Sequence, residues 1–317
     1  MPSKPAITKS PFIESIPSNI QFHQVGRHRL AYIAHNPEGR GVPMIWIHGA
    51  TASVRFWEAA QFERIRQHHP WYSISLPFHH PSSFEGEIDP NDLTEQKLFA
   101  LTDGLIRHLV GDRPVLLVGY SVGGFAALNF AAKQPDRTLA VVNIGGFARG
   151  RARGLEGVLE FLATSGPLGR FVFHCSWWWL QRHRIFLRMA VGAYACDNRA
   201  LRRYEYLGPT LRNIWPDVKR HNRTAMRHLF AWLLQLDVTD EMSELSMPIL
   251  SFAGECDPVI PYEHQRKFAE RLKNCRLVSL PGAGHVIFAE RPVQFEREFL
   301  KFVDQIDRRY HQIAGAA

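Results

Sequence analysis

The chain has 317 residues, 45% hydrophobic and 12% aromatic, enough for one large core or for one core carrying an inserted subdomain. Met1-Pro-Ser-Lys-Pro-Ala-Ile-Thr-Lys9 holds no continuous apolar stretch, and no run of about eighteen apolar residues occurs, so a secretory leader and a spanning helix are not expected and a soluble cytoplasmic protein is. The net charge is +8, but fifteen Lys and Arg against five Asp and Glu fall between Gly146 and Phe230, so the basicity belongs to one segment.

From Gln21 onward, short β-branched or aromatic runs alternate with longer helical patterns, which predicts an α/β protein with a mostly parallel sheet and crossover helices. The predicted strands are Leu30 to Ala34, Met44 to Ile47, Trp71 to Leu76, Val115 to Val118, Leu139 to Ile144, Ile249 to Ala253 and Arg276 to Leu280. Leu98, Leu101, Leu105 and Leu109 recur at helical spacing within Thr94 to Leu109, and Pro292 opens a second predicted helix to Ile306. Between about Gly146 and Glu244 the strand signals stop. Leu155, Val158, Leu159 and Leu162 form one helical stripe there, Met226, Leu229, Phe230, Leu233 and Leu234 another, and Gly166-Pro167, Gly208-Pro209 and Trp215-Pro216 cut the segment into pieces. The expected organisation is a core of residues 20–145 and 246–310, a helical insertion at 146–245, and an N-terminal extension at 1–19.

The chemistry gathers at three loops. Gly119-Tyr120-Ser121-Val122-Gly123 lies between a strand and a helix, where a sharp turn lifts the middle side chain clear of the sheet and small neighbours leave room for it. Ser121 is the candidate nucleophile, and the Val122 amide at the helix start is one candidate oxyanion donor. A serine needs a base and a group that holds the base in one tautomer. Asp257 follows the strand at Ile249 and His285 follows the strand at Arg276, both where open α/β sheets build their sites. Glu255 is the second choice for the acid. The strand at Met44 runs into His48-Gly49-Ala50, which makes the Ala50 amide the second oxyanion donor and leaves His48 a structural role. No cofactor is required.

These motifs, with Gly254-Glu-Cys-Asp257-Pro-Val-Ile-Pro261 and Gly284-His285 followed by Phe288-Ala-Glu-Arg-Pro292, resemble the α/β-hydrolase superfamily, in particular its single-domain enzymes with a helical cap. The resemblance spans about Arg29 to Val303 apart from the insertion. It implies an eight-stranded sheet, a cap over the site, and Ser121, Asp257 and His285 as nucleophile, acid and base. A serine at the turn sets the chain apart from the related dehalogenases and epoxide hydrolases, which place aspartate there. One stretch departs from the pattern: relatives carry Asp-x-Pro-Gly-x-Gly-x-Ser where this chain reads Ser75-Leu-Pro-Phe78-His79-His80-Pro-Ser-Ser83, so pocket shape there cannot be carried over.

The insertion bears on the substrate. Three consecutive tryptophans, Trp177-Trp178-Trp179, cannot all face one core, because helical neighbours are rotated by about 100°. With Arg182, Arg184, Arg188, Arg202 and Arg203 nearby, they point to a lipophilic acyl ester presented at an anionic membrane surface. The expected substrate contacts are Phe78, Tyr120, Trp177 and Trp178. Thioester hydrolysis and carbon–carbon bond hydrolysis are alternatives on the same three residues, the second disfavoured because Ala50-Thr-Ala-Ser53 is poorer in glycine than in superfamily members of that kind. A receptor that holds its ligand with little turnover is another. Nucleic acid is the less favoured partner, since no recognised motif accompanies the charge. No metal is expected: His68-His69 and His79-His80 lack a carboxylate or cysteine at ligand spacing. The four cysteines, scattered along the chain, are expected to be buried reduced thiols.

Overall fold

The computed structural model describes residues 20–59, 62–88 and 93–316; the N-terminal extension expected at 1–19 lies outside the described residues. The strands are β1 (Gln21–Val25), β2 (His28–His35), β3 (Met44–Ile47), β4 (Trp71–Ile74), β5 (Ser83–Phe84), β6 (Val115–Tyr120), β7 (Thr138–Ile144), β8 (Ile249–Gly254) and β9 (Cys275–Leu280). The helices are α1 (Glu63–His68), α2 (Glu95–Val110), α3 (Val122–Lys133), α4 (Gly154–Thr164), α5 (Gly166–Arg182), α6 (Arg184–Tyr194), α7 (Asn198–Arg203), α8 (Leu207–Val218), α9 (Arg223–Leu233), α10 (Tyr262–Arg271), α11 (Ile287–Glu290) and α12 (Pro292–Ala316).

One sheet runs β1-β2-β4-β3-β6-β7-β8-β9. The β1–β2 and β2–β4 pairs are antiparallel, and every pair from β4 to β9 is parallel. Every residue of β3, β6, β7 and β8 is buried, as near-continuous apolar runs such as Met-Ile-Trp-Ile and Val-Leu-Leu-Val require when helices cover both faces. Phe295 and Phe299 of α12 close one face against Phe252 and Trp46, with ring centroids 4.5 and 5.5 Å apart. The sheet has nine strands rather than eight, because β5 adds a two-residue pairing to β2 off the main path. Neither β5 nor β1 was visible in the sequence: β1, Gln-Phe-His-Gln-Val, is short and mostly polar and exists by pairing with β2.

Register brings the loops together. Ile47 pairs with Gly119, Tyr120 with Ile144, Ile144 with Phe252, and Gly254 with Leu280. The carboxyl ends of β3, β6, β8 and β9 therefore lie at one edge of the sheet, and the loops carrying Ala50, Ser121, Asp257 and His285 leave from that edge.

Between β7 and β8 the chain runs through α4 to α9. The two ends of this insertion lie side by side, with Gly150 N donating to Leu236 O at 2.8 Å and Val238 N to Ala148 O at 2.9 Å. Gly169, Phe173 and Trp177 form the inner side of α5, with Phe173 and Trp177 packed on Phe230 of α9 at 5.8 and 5.7 Å. The three tryptophans divide as helical rotation demands: Trp177 is 1% exposed, Trp178 39% and Trp179 53%. Among the described residues, no helix is long and apolar enough to cross a membrane. The cysteines correct the expectation of buried thiols: all four are free, but Cys196 and Cys256 are exposed and Cys175 and Cys275 half-buried, because they fall on loops, an outer helix side and an edge strand.

Candidate active site

Ser121 joins β6 to α3 with φ 54° and ψ −120°, a left-handed conformation that costs a non-glycine residue on the order of 1–3 kcal/mol. The neighbouring glycines make this turn feasible. A Cβ at Gly119 would lie 2.2 Å from the Gly123 carbonyl oxygen, and one at Gly123 would lie 2.4 Å from that of Ile47. The turn is pinned from the sheet side by Ser121 N, which donates to Ile144 O at 2.9 Å.

Asp257 and His285 meet across two loops. His285 Nδ1 donates to Asp257 Oδ2 at 2.8 Å, both side chains being buried. Asp257 is itself held by four donors in all: Oδ1 accepts from the amides of Val259 (2.8 Å) and Ile260 (2.9 Å), and Oδ2 accepts from Gln265 Nε2 (3.0 Å) as well as from the imidazole. Glu255 is exposed and makes no hydrogen bond or ion pair with His285 among the described residues. His285 Nε2 is buried without a hydrogen-bond partner among the described residues. It borders a cavity of about 40 Å³ that Ser121 also lines, with Ala50, Tyr120, Glu156 and Tyr194. Val122 opens α3, so its amide has no intrahelical carbonyl to reach.

Burial alone would push the His285 imidazole down. The charge of Asp257 and its hydrogen bond, then the charges of Glu156 and Glu290, outweigh burial and leave it above 6.5. Glu156, on α4, is pushed up by burial and less strongly by Asp257, against His285 and Tyr194. A base must be neutral to accept a proton. Hence kcat/KM is expected to fall as pH drops through an apparent pKa above 6.5. Glu156→Gln, by removing a negative charge beside the ring, should move that acid limb to lower pH; rate profiles of the two proteins check it.

His48, His79 and His221 brace the loop that carries Ala50. His48 Nδ1 lies 2.8 Å from Gly49 O, His79 Nε2 2.7 Å from Ala50 O, and His221 Nε2 3.0 Å from Ala52 O. His48 Nε2 accepts from Leu76 N, and His221 Nδ1 from His80 N, which fixes the proton of each ring on the nitrogen facing a carbonyl. All three rings are buried, and burial holds each below the ordinary histidine range. Three carbonyls of residues 49–52 thereby each face a buried imidazole nitrogen.

Of the four expected substrate contacts, the structure brings only Tyr120 to the cavity, stacked on Phe56 at 5.5 Å and lying 5.2 Å from the His285 ring. Phe78 is turned away: at φ 67° its ring packs in the core against His28 (5.3 Å) and Phe84 (5.1 Å). Trp177 is interior packing of the insertion, and Trp178 is on its outside under Arg182, at 5.5 Å. Sequence reading missed Glu156, Tyr194 and Ile214, which reach the cavity from three helices of the insertion with no local motif to mark them. It also missed Glu290, whose carboxylate accepts from the amides of Gly284 (2.9 Å), Cys196 (2.9 Å) and Asp197 (2.7 Å) and so ties the His285 loop to the insertion.

His68 and His69 do gain a carboxylate, Asp307 of α12, which spacing in the sequence could not reveal. Two of these three groups are already engaged, since His69 Nδ1 donates to Val42 O (3.1 Å) and Asp307 Oδ1 accepts from Val42 N (2.8 Å). Hydrogen bonding between α12 and the β3 loop accounts for the cluster.

The sequence model described as "Alpha/beta hydrolase family" matches residues 44–298. A pimeloyl-[acyl-carrier protein] methyl ester esterase of Aliivibrio fischeri is 21% identical over 84% of this chain and 96% of its own length. One from Neisseria meningitidis is 25% identical over 74% and 83%. Among solved structures, a thermophilic esterase from Thermogutta terrifontis superposes with a TM-score of 0.68 at 19% identity, covering 90% of this chain and 99% of that one. The enol-lactonase from Burkholderia xenovorans LB400 gives 0.69 at 17%, covering 90% and 100%. The elbow serine, the sheet order and the match along most of the sequence place this chain in the alpha/beta hydrolase family.

Proposed function

We propose that the chain is a serine hydrolase of carboxylic esters, working through Ser121, His285 and Asp257. The observation that carries this reading is the orphaned His285 Nε2, buried in the same cavity as Ser121 while Asp257 holds the other ring nitrogen. His285 takes the hydroxyl proton as Ser121 Oγ attacks the carbonyl carbon, and the amides of Ala50 and Val122 hold the oxyanion. Collapse breaks the bond to the alkoxy oxygen, which leaves with the proton from His285. Water, deprotonated by His285, then attacks the acyl-enzyme and releases the acid and Ser121. The esterase names of the relatives favour the same bond class.

The acyl side is lipophilic in this reading, supported by Phe56, Val191, Ile214 and Val286 in the cavity wall. At about 40 Å³ the cavity takes a few heavy atoms, far below the several hundred Å³ typical of a drug-sized ligand. Short chains are therefore favoured. In a series of 4-nitrophenyl esters, acetate and butyrate should be turned over faster than octanoate. Octanoate at the acetate rate would mean that the insertion swings clear of Ser121; no turnover and no phosphonate labelling in the series would sink the hydrolase reading.

A further inference from the structure

Ten of the twelve exposed large apolar side chains among the described residues sit on α4, α5 and α6, three consecutive helices that pack on one another. They are not scattered. On α5, Leu168, Phe171, Val172, Trp178 and Trp179 follow helical spacing along one side, opposite the Gly169-Phe173-Trp177 side that packs inward. Leu168 is 75% exposed and Phe171 65%. Leu155, Val158 and Phe161 repeat the pattern on α4, and Ile185 and Met189 on α6. Trp178 meets Trp179 at 5.2 Å and Trp179 meets Phe186 at 5.5 Å, so the stripe continues from α5 onto α6.

The exposed charges on the three helices have one sign. On α4 to α6, Arg170, Arg182, Arg184 and Arg188 are exposed, and the two acidic residues, Glu156 and Glu160, are buried. Two basic clefts flank it. One, of about 820 Å³, runs beside Phe161 and is lined by Arg149, Arg151, Arg153, Lys267 and Arg271 against Glu160 and Glu263, a cationic excess. The other, of about 520 Å³, runs beside Ile185 and holds Arg184, Arg188 and Arg212. The Arg182 guanidinium over the Trp178 ring combines both features in one contact.

We propose that the outer face of α5, with its flanks on α4 and α6, docks on an anionic bilayer, the apolar stripe entering the headgroup–acyl boundary and the arginines meeting lipid phosphates. An apolar centre with a predominantly cationic surround matches that surface and is a solubility cost without one. The contact is peripheral, since no described helix could span. Binding is read without turnover, so this proposal is independent of the ester reading.

The test is sedimentation of the full chain with vesicles of phosphatidylcholine alone or mixed with phosphatidylglycerol, followed by tryptophan emission. Partition should be at least about tenfold stronger on the anionic vesicles, should weaken with added salt, and should shift emission to the blue. Phe171→Glu with Trp179→Glu, and separately Arg170→Glu with Arg182→Glu, should each lower partition at least about tenfold. Their thermal midpoints should match that of the parent protein, because all four side chains are exposed. Equal partition on both vesicles, or partition unchanged in both variants, would overturn the proposal. So would a concentration-dependent dimer that Phe171→Glu dissociates, which would assign the face to a second copy.

Discussion

Ser121→Ala is expected to lower kcat/KM for a 4-nitrophenyl ester by roughly five to six orders of magnitude and to abolish labelling by an activated phosphonate. The loss is chemical, since only the hydroxyl is removed. Ser121 Oγ donates to no protein group among the described residues, and His285 Nε2 is already unpartnered, so no native hydrogen bond is broken. Alanine carries the same left-handed strain as serine at φ 54°, so the thermal midpoint should stay within the range of a neutral surface change. In the proposed mechanism the residual rate would come from the amides of Ala50 and Val122 acting on a bound ester that water attacks directly. A variant that keeps parental activity would remove Ser121 from the mechanism and with it the reading of the elbow.

The local motifs were legible because their chemistry is short-range. The elbow at Ser121 needs glycines two residues either side, and the Asp257 and His285 loops each follow an apolar strand that announces itself. All seven strands expected from the sequence correspond to strands in the fold, with boundaries shifted by no more than two residues. Contacts made by the insertion were not legible. Glu156, Tyr194 and Ile214 reach the cavity only because the helices of the insertion pack in one particular way, and nothing within a few residues of them encodes it. The tryptophan run shows the same limit from the other side. Rotation by about 100° per residue says that the three must diverge. Which one is buried depends on Phe230, more than fifty positions later. The histidine loop was visible as a departure from pattern, but its role waited on His221, which shares no local signal with His79.

Asp257→Asn should cost about four orders of magnitude in kcat/KM, for a reason written in the hydrogen bonds around it. The two amides of Val259 and Ile260 both donate to Oδ1, so the asparagine carbonyl oxygen must take that position and the new NH₂ must take the place of Oδ2. There it faces Gln265 Nε2, another donor, 3.0 Å away. Turning Gln265 over would relieve that clash only by setting its oxygen against Ile260 O, to which Nε2 now donates at 2.7 Å. The NH₂ also faces His285 Nδ1, which can then only accept. The ring proton is forced onto Nε2, the nitrogen that should take the proton of Ser121, and the base is disabled in place. The buried mismatch with Gln265 adds a stability loss of about 1–3 kcal/mol, read as a lowered thermal midpoint. Glu255→Gln serves as the control. Exposed and without a hydrogen bond or ion pair to His285 among the described residues, it should leave both rate and midpoint unchanged. A rate loss there, with Asp257→Asn active, would transfer the acid's role to Glu255 and would require the loop between β8 and α10 to rearrange around the imidazole.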